Sequence, residues 1–204
     1  MFAETPVKLS FEDEFKDFLT QKLNSSQKST NKELCFVAIN PPLIPESPFD
    51  IEVAKKQGYY NFPPTGPMYL CSSIDSLYLK NTKCEVIDLN NYLLKRANSK
   101  EVFTYKCWTD AFAHLDTNTQ RLIFLVSYMF GTTKECFTNT TQYIRNKYPD
   151  ALIITGGVQA SFDKKEILDA KSADIVCTNE GDKQIQYIAS KIHSKLFKDN
   201  TRQS

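Results

Sequence analysis

The sequence has no excess of charge of either sign and no long hydrophobic run. Its 25 basic and 24 acidic residues leave a net charge of +1, which provides no field to attract nucleic acid or an anionic membrane. The stretch after Met1 is polar and acidic, and no apolar run approaches the roughly 20 residues that a membrane span needs. We therefore expect no nucleic-acid partner, no membrane partner and, by default, a cytoplasmic location.

Several familiar site motifs are also missing. The 204 residues contain no GxxxxGKS or GxxxxGKT phosphate loop, no GxGxxG after a predicted strand and no CxxC, so standard nucleotide and structural zinc sites are not predicted. The two histidines, His114 and His193, fall in predicted helices and are interpreted as structural or surface residues. We assign no catalytic residue and no metal ligand.

The six cysteines are scattered along the chain: Cys35, Cys71, Cys84, Cys107, Cys136 and Cys177. Cys35, Cys84 and Cys177 lie inside apolar runs, where cysteine behaves as a small hydrophobic residue. We expect all six to be reduced thiols, and we do not expect a structural disulfide.

The chain divides by composition into a short N-terminal part and a larger body. Residues 10–23 carry apolar side chains at helical spacing behind a possible N-cap, Ser10, which predicts an amphipathic helix. Residues 24–32 are polar throughout and are interpreted as a linker. We therefore expect residues 1–32 to form a helix and linker, and residues 33–204 to form one α/β domain.

Within the body, apolar runs that predict strands alternate with stretches that predict helices. The predicted strands are residues 34–39, 84–89, 122–128, 151–155 and 174–178, and the predicted helices are residues 67–79, 109–115, 132–148, 164–170 and 182–197. Most of the strand runs are almost continuously apolar, which is typical of strands covered by helices on both faces. The pattern predicts an α/β fold with a doubly wound parallel sheet.

Glycine is scarce, and five of the six glycines fall where a predicted strand gives way to a helix: Gly66, Gly131, Gly156, Gly157 and Gly181. Such turns share one edge of a parallel sheet, and ligands of open α/β sheets bind at that edge. The connection over residues 40–66 has 27 residues and six prolines, longer than structureless links usually are. We expect this edge and this loop to be functional.

Six segments at these turns carry a resemblance to a known family. They are residues 40–42 (NPP), 63–67 (PPTGP) with Tyr69 and Leu70, 86–89 (VIDL), 127–129 (SYM), 156–161 (GGVQAS) and 179–182 (NEGD). In this order the set resembles the cobalamin (vitamin B12)-binding domain, and in particular the N-terminal domain of cobalamin-dependent radical SAM enzymes, over roughly residues 34–197.

The resemblance implies a flavodoxin-like or Rossmann-like five-stranded sheet of order 2-1-3-4-5, a bound cobalamin and a radical SAM domain or subunit as partner in methyl transfer or related radical chemistry. It implies that Ser127 and the Gly156–Gly157 pair make room for the cofactor's nucleotide tail. The cofactor-binding residues expected from it are Asn40, Pro42, Thr65, Gly66, Ser127, Met129, Gly131, Gly156, Gly157, Gln159, Glu180 and Gly181.

The sequence departs from the family pattern in two places. The DxHxxG fingerprint is missing and residues 40–67 contain no histidine, so this loop cannot supply a lower axial imidazole. Gln159 stands where the radical SAM branch often has histidine. No CxxxCxxC occurs, so the chain cannot hold the iron-sulfur cluster of a radical SAM enzyme. We expect a module or subunit rather than a self-contained enzyme.

Two alternatives remain open. The chain could be a relative without vitamin that acts as an interaction or regulatory subunit, docking a partner through its N-terminal helix and exposed aromatic residues. It could instead bind a flavin on Tyr105, Trp108 and Tyr128. The loop aromatics, Phe49, Tyr59, Tyr60 and Phe62, would either cover a bound cofactor or anchor the loop.

Overall fold

The fold is described from a computed structural model, which covers residues 11–24, 32–56, 59 and 62–197. The strands are β1 (Glu33–Asn40), β2 (Thr82–Asp88), β3 (Gln120–Ser127), β4 (Leu152–Gly156) and β5 (Ile175–Cys177). The α-helices are α1 (Phe11–Asn24), α2 (Ile51–Lys55), α3 (Thr65–Asp75), α4 (Leu89–Ala97), α5 (Lys134–Lys147), α6 (Val158–Phe162), α7 (Lys164–Asp169) and α8 (Gly181–Phe197). Residues Tyr105–Phe112 and Gly131–Thr133 form 3₁₀ helices. Among these residues, no helix combines the length and apolar character that crossing a membrane requires.

The five strands form one parallel sheet in the order β2-β1-β3-β4-β5. This confirms the predicted doubly wound, flavodoxin-like arrangement. From β1 the chain first adds β2 on one side and then adds β3, β4 and β5 in succession on the other, so the winding direction reverses between β1 and β3. The carboxyl ends of β1, β3, β4 and β5 lie along one edge of the sheet. Ser127 pairs with Gly156, and Gly156 pairs with Cys177, so three predicted turns begin at the same level of the sheet.

Both faces of the sheet are buried, which explains the nearly continuous apolar runs. Side chains alternate between the faces along each strand. Phe36, Leu125 and Ile154 pack with residues of α1, α3 and α8, and we call this side the α8 face. Val37 and Phe124 pack on the opposite side with residues of α4, α5, α7 and the 3₁₀ helix Tyr105–Phe112.

The N-terminal helix α1 packs on the body of the same chain. Leu19 and Leu23 are buried in the cluster on the α8 face, and the rings of Phe15 and Tyr187 lie 5.9 Å apart. Lys22 Nζ lies 2.6 Å from Asp174 Oδ1. The apolar side chains of α1 that the structure describes, Phe15, Phe18, Leu19 and Leu23, therefore pack against the body of their own chain.

Four helices differ from the sequence-based prediction. Helix α4 begins directly after β2, because the Asp88 carboxylate accepts a hydrogen bond from Asn91 N at 3.2 Å and caps it. The predicted helix over residues 109–115 is instead a 3₁₀ helix, Tyr105–Phe112. The long loop after β1 contains α2, which Asp50 caps, and α6 follows β4 almost at once.

The expectation that all cysteines are reduced thiols is wrong for one pair. Cys71 on α3 and Cys84 on β2 form a disulfide, with Cα atoms 5.3 Å apart, a usual separation for cystine. Contact between α3 and the edge strand β2 brings these residues together, and neither residue has a neighbouring cysteine in sequence to signal it. Cys35, Cys107, Cys136 and Cys177 are buried free thiols.

Reducing this disulfide should lower the free energy of unfolding by about 3 kcal/mol, the loop-closure value for a loop of this size. The cystine spans a sequence separation of 13 residues. Urea denaturation with and without dithiothreitol measures the difference. The Cys71→Ser variant is the control, since dithiothreitol should not change its midpoint. Equal midpoints for the wild-type protein in both conditions would contradict the prediction.

Candidate cofactor-binding groove

A groove opens at the carboxyl edge of the sheet, on the α8 face. Helices α3 and α8 form its long walls, the ends of β3, β4 and β5 lie beneath it, and α6 closes one side. Its volume is about 810 Å³, within the range of small-molecule sites. This is the edge at which open α/β sheets bind their ligands.

The deep part of the groove is apolar. Leu125 and Ile154 project from β3 and β4, Leu70 and Ile185 come from α3 and α8, and Cys177 lies at the end of β5. Burial raises the pKa of the Cys177 thiol to about 11, so the thiol stays protonated near neutral pH. A group that enters this part of the groove meets uncharged, apolar surface.

Ser127 and Gly156 stand side by side above this floor. Each lies two residues beyond a floor residue, Leu125 or Ile154, and so faces the groove. Ser127 Oγ has no hydrogen-bond partner among the described residues. A Cβ added at Gly156 would lie 3.5 Å from the Cys177 Cβ, an ordinary contact, so glycine here leaves space in the groove rather than relieving strain.

Gly157 has a different role from its neighbour. Its φ of 118° and ψ of 171° lie in a region that is almost exclusive to glycine. An added Cβ would approach Tyr128 O to 2.5 Å. Gly157 lines the groove as well, but the turn after β4 needs glycine there because of the Tyr128 backbone.

The mouth of the groove carries negative charge. Glu180 and Asp182 lie beside Gly181 at the start of α8, and the part of the chain that the structure describes contributes no lysine, arginine or histidine to the lining. Across from them, Gly66 and Pro67 open α3, and an added Cβ at Gly66 would meet no atom within 4 Å. The groove therefore suits an uncharged group better than a phosphate.

Exposed apolar side chains surround the mouth. Tyr69 on α3 and Phe162 at the end of α6 are 63% and 79% exposed and line the groove, and Phe130, which follows β3 at the same edge of the sheet, is 59% exposed. Met129 and Val158 are also exposed and line the groove itself. Apolar surface concentrated at one edge is typical of a site that another molecule covers.

The structure brings seven predicted site residues together in the groove lining: Gly66, Ser127, Met129, Gly156, Gly157, Glu180 and Gly181. Five others lie elsewhere: Asn40, Pro42, Thr65, Gly131 and Gln159. Asn40 Nδ2 donates to Asp88 Oδ1 at 2.9 Å and ties β1 to the cap of α4. Pro42 is buried in the loop after β1, and Thr65 is the exposed first residue of α3.

Gln159 and Gly131 belong to a separate polar cluster beside the groove. Gln159 Nε2 and Tyr128 Oη both donate to Asp163 Oδ2, at 3.1 and 2.9 Å, and these hydrogen bonds lower the pKa of Asp163. A Cβ at Gly131 would lie 3.3 Å from Gln159 Oε1. Gln159 therefore holds the turn around Tyr128, instead of reaching the groove.

Sequence reasoning missed the floor and the α6 side of the groove. Leu125 and Ile154 could have been found from the alternation of side chains along a strand, because each lies two residues before a predicted site residue, Ser127 or Gly156. Cys177 could have been found only from the pairing of β5 with β4, which places it beside Gly156. The residues Val158, Ser161 and Phe162 sit on a five-residue helix, which is too short to show a helical period.

The aromatic residues considered at the sequence level are mostly packed in the interior. Trp108 and Tyr128 are buried on the face opposite to the groove, so they offer no surface on which a flavin could stack. Phe49 packs against Tyr59, Phe103 and Tyr105, so Phe49 and Tyr59 anchor the long loop. Phe62 is exposed, and Tyr60 lies outside the described residues.

A second cavity, of about 830 Å³, lies between α1, α5 and α7. Several of its charged groups are paired with one another: Asp174 contacts Lys22 and Arg145 at 2.6 and 2.7 Å, and Lys134 contacts Glu166 at 2.7 Å. Its buried apolar lining residues belong to the cluster on the side of the sheet opposite to the groove, and it contains none of the predicted site residues. We therefore take the groove as the candidate functional site.

Within the described residues, no three His, Cys, Asp or Glu side chains are grouped as a metal site would require. Comparisons of the chain with protein-family models, curated proteins and solved structures find no match in any of the three.

Proposed function

We propose that this chain binds cobalamin, with the nucleotide tail of the cofactor in the groove between α3 and α8. The observation that carries the proposal is the alignment of Ser127 and Gly156 at the top of an apolar channel that follows the sheet face down to Leu125 and Ile154. A flat aromatic base needs such a channel, open at the sheet edge and free of side chains where it enters.

The chemistry of the lining agrees with this ligand. Ser127 Oγ is available to a ring nitrogen, and the apolar floor suits the hydrocarbon part of a benzimidazole. The carboxylates of Glu180 and Asp182 and the lack of lining cations, among the described residues, disfavour ligands that would bury a doubly charged phosphate monoester or a pyrophosphate here, whereas the tail of cobalamin carries a singly charged phosphodiester. Flavin mononucleotide and dinucleotides are such ligands.

The rim would hold the large ring of the cofactor. Met129, Val158 and Phe162 offer apolar contact at the mouth, where a corrin could rest while its other face stays open to a partner. When bound, the cobalt-containing ring would carry a methyl group or support radical chemistry. In this proposal, which includes a cytoplasmic location, a radical SAM domain or subunit contributes the iron-sulfur cluster that this chain has no motif to hold.

The test is a titration of the full chain with hydroxocobalamin and with methylcobalamin, followed by corrin absorbance and by calorimetry. We expect saturable uptake of both and a bound spectrum without nitrogen ligation from below, because the loop after β1 has no histidine. Absence of any spectral change or heat at excess cofactor would refute the proposal.

The exposed apolar rim also favours a second candidate, a docking module that binds no vitamin. Phe130 and Phe162 are the kind of exposed aromatic residues that partner proteins bury. The same titration separates the two candidates, since a docking module takes up neither cobalamin.

A further inference from the structure

We infer that the groove selects among corrinoids by the polarity of the base on their nucleotide tail, and that it binds an apolar benzimidazole more tightly than a purine. This inference rests on the proposed function, because it requires a corrinoid tail to enter the groove.

The surface available to the base is apolar at depth. Leu125, Ile154 and Ile185 line the deep part of the groove and belong to the same cluster as the inward residues of α3 and α8. Leu70 reaches across from α3 to α8, where its Cδ2 would lie 3.5 Å from a Cβ at Gly181. The methyl groups of dimethylbenzimidazole match such a surface, because both are uncharged and form no hydrogen bonds.

The polar groups along the groove are mostly paired with one another. Thr155 Oγ1 donates to Val126 O at 2.8 Å, and Ser161 Oγ donates to Gly157 O at 3.3 Å. Tyr128 N donates to Gly156 O at 2.9 Å. Of the side chains that the described part of β3, β4 and β5 places along the groove, only Ser127 retains a hydroxyl without a partner.

One free hydroxyl can satisfy a base with one free ring nitrogen. A purine such as adenine carries further ring nitrogens and an exocyclic amino group, which would lose their hydrogen bonds to water and gain none from the apolar side chains at the floor of the groove. An unpaired polar group that is buried weakens binding by about tenfold or more. The groove should therefore discriminate against adenine at the position of the benzimidazole.

The experiment compares three ligands on the full chain by calorimetry: hydroxocobalamin, the corrinoid with adenine in place of dimethylbenzimidazole, and cobinamide, which lacks the nucleotide tail. We expect hydroxocobalamin to bind at least about tenfold more tightly than either of the others. Equal or tighter binding of the adenine corrinoid overturns the inference but leaves the proposed function standing. Equal or tighter binding of cobinamide overturns the inference and also the placement of the nucleotide tail in the groove. If none of the three binds, the proposed function itself fails.

The Leu70→Gln variant tests the cause of the selectivity. A glutamine on this wall gives a purine a hydrogen-bond partner and removes apolar contact from a benzimidazole. The ratio of the affinity for hydroxocobalamin to that for the adenine corrinoid should therefore fall, because the first affinity decreases and the second increases. Damage to the groove would instead weaken both ligands. Met68→Gln is the matched control, since Met68 is on the same helix, 51% exposed and not part of the lining. An unchanged ratio in Leu70→Gln overturns the inference, and the wild-type comparison stands whether or not this variant folds.

Discussion

Gly156→Phe is expected to lower the affinity of the chain for hydroxocobalamin by at least about 100-fold, or about 2.7 kcal/mol. Residue 156 faces the groove directly above Ile154, and the backbone there is one that any residue can adopt. A phenyl ring would therefore occupy the volume proposed for the cofactor's base. Calorimetric titration measures the affinity, and far-ultraviolet circular dichroism with urea denaturation verifies that the variant is folded.

Two variants make the result specific to the groove. Gly156→Ala adds only a Cβ, 3.5 Å from the Cys177 Cβ, and should bind far more tightly than Gly156→Phe. Gly66→Leu narrows the groove from the α3 wall, where an added Cβ meets no atom within 4 Å, and should also weaken binding. A folded Gly156→Phe protein with wild-type affinity would mean that cobalamin binds outside the groove.

The sheet was accessible from sequence because its strands are buried on both faces. Residues such as Leu34 through Ile39 on β1 form an unbroken apolar run, and a run of that kind stands out against polar connections. The strand order was accessible only through the resemblance and the clustering of glycines, since apolar periodicity says nothing about which strands are neighbours.

Helix α4 and the disulfide could not be predicted for different reasons. In α4, Asn90 and Asn91 follow Leu89 immediately and weaken the helical signal, while the stabilising burial of Leu93 and Leu94 is a tertiary effect. The Cys71–Cys84 pair depends on the packing of α3 against β2. The spacing of cysteines along the chain does not reveal such a contact when neither residue belongs to a recognised cysteine motif.

The glycine pair shows how far a local pattern can lead. Sequence alone indicates that Gly156 and Gly157 form a turn at the ligand edge, and both do line the groove. It does not separate their roles, because side-chain direction at a turn depends on the register with β3 and on the path of the Tyr128–Met129 backbone. Gly156 keeps the groove open, whereas Gly157 allows the backbone to pass Tyr128.

Gly157→Ala should therefore damage the fold, with a loss of about 3 kcal/mol in the free energy of unfolding. At φ 118° a Cβ is strained in any surroundings, and here it would also meet Tyr128 O at 2.5 Å and Met129 Sδ at 2.8 Å. The methionine can move, but the carbonyl cannot move freely, because Tyr128 O accepts a hydrogen bond from Ala160 N at 3.2 Å.

Gly66→Ala is the matched control, since it makes the same chemical change at a glycine whose backbone conformation and surroundings accept a Cβ. Gly66 is the second residue of α3, an added Cβ there has free space, and alanine favours a helix over glycine by up to about 1 kcal/mol. Urea denaturation should thus show opposite signs: a lower midpoint for Gly157→Ala and an equal or higher midpoint for Gly66→Ala. If Gly157→Ala were as stable as the wild-type protein, the turn after β4 would have to follow a different path. The position of Gly156 at the top of the groove would then also be wrong, because it depends on the same turn.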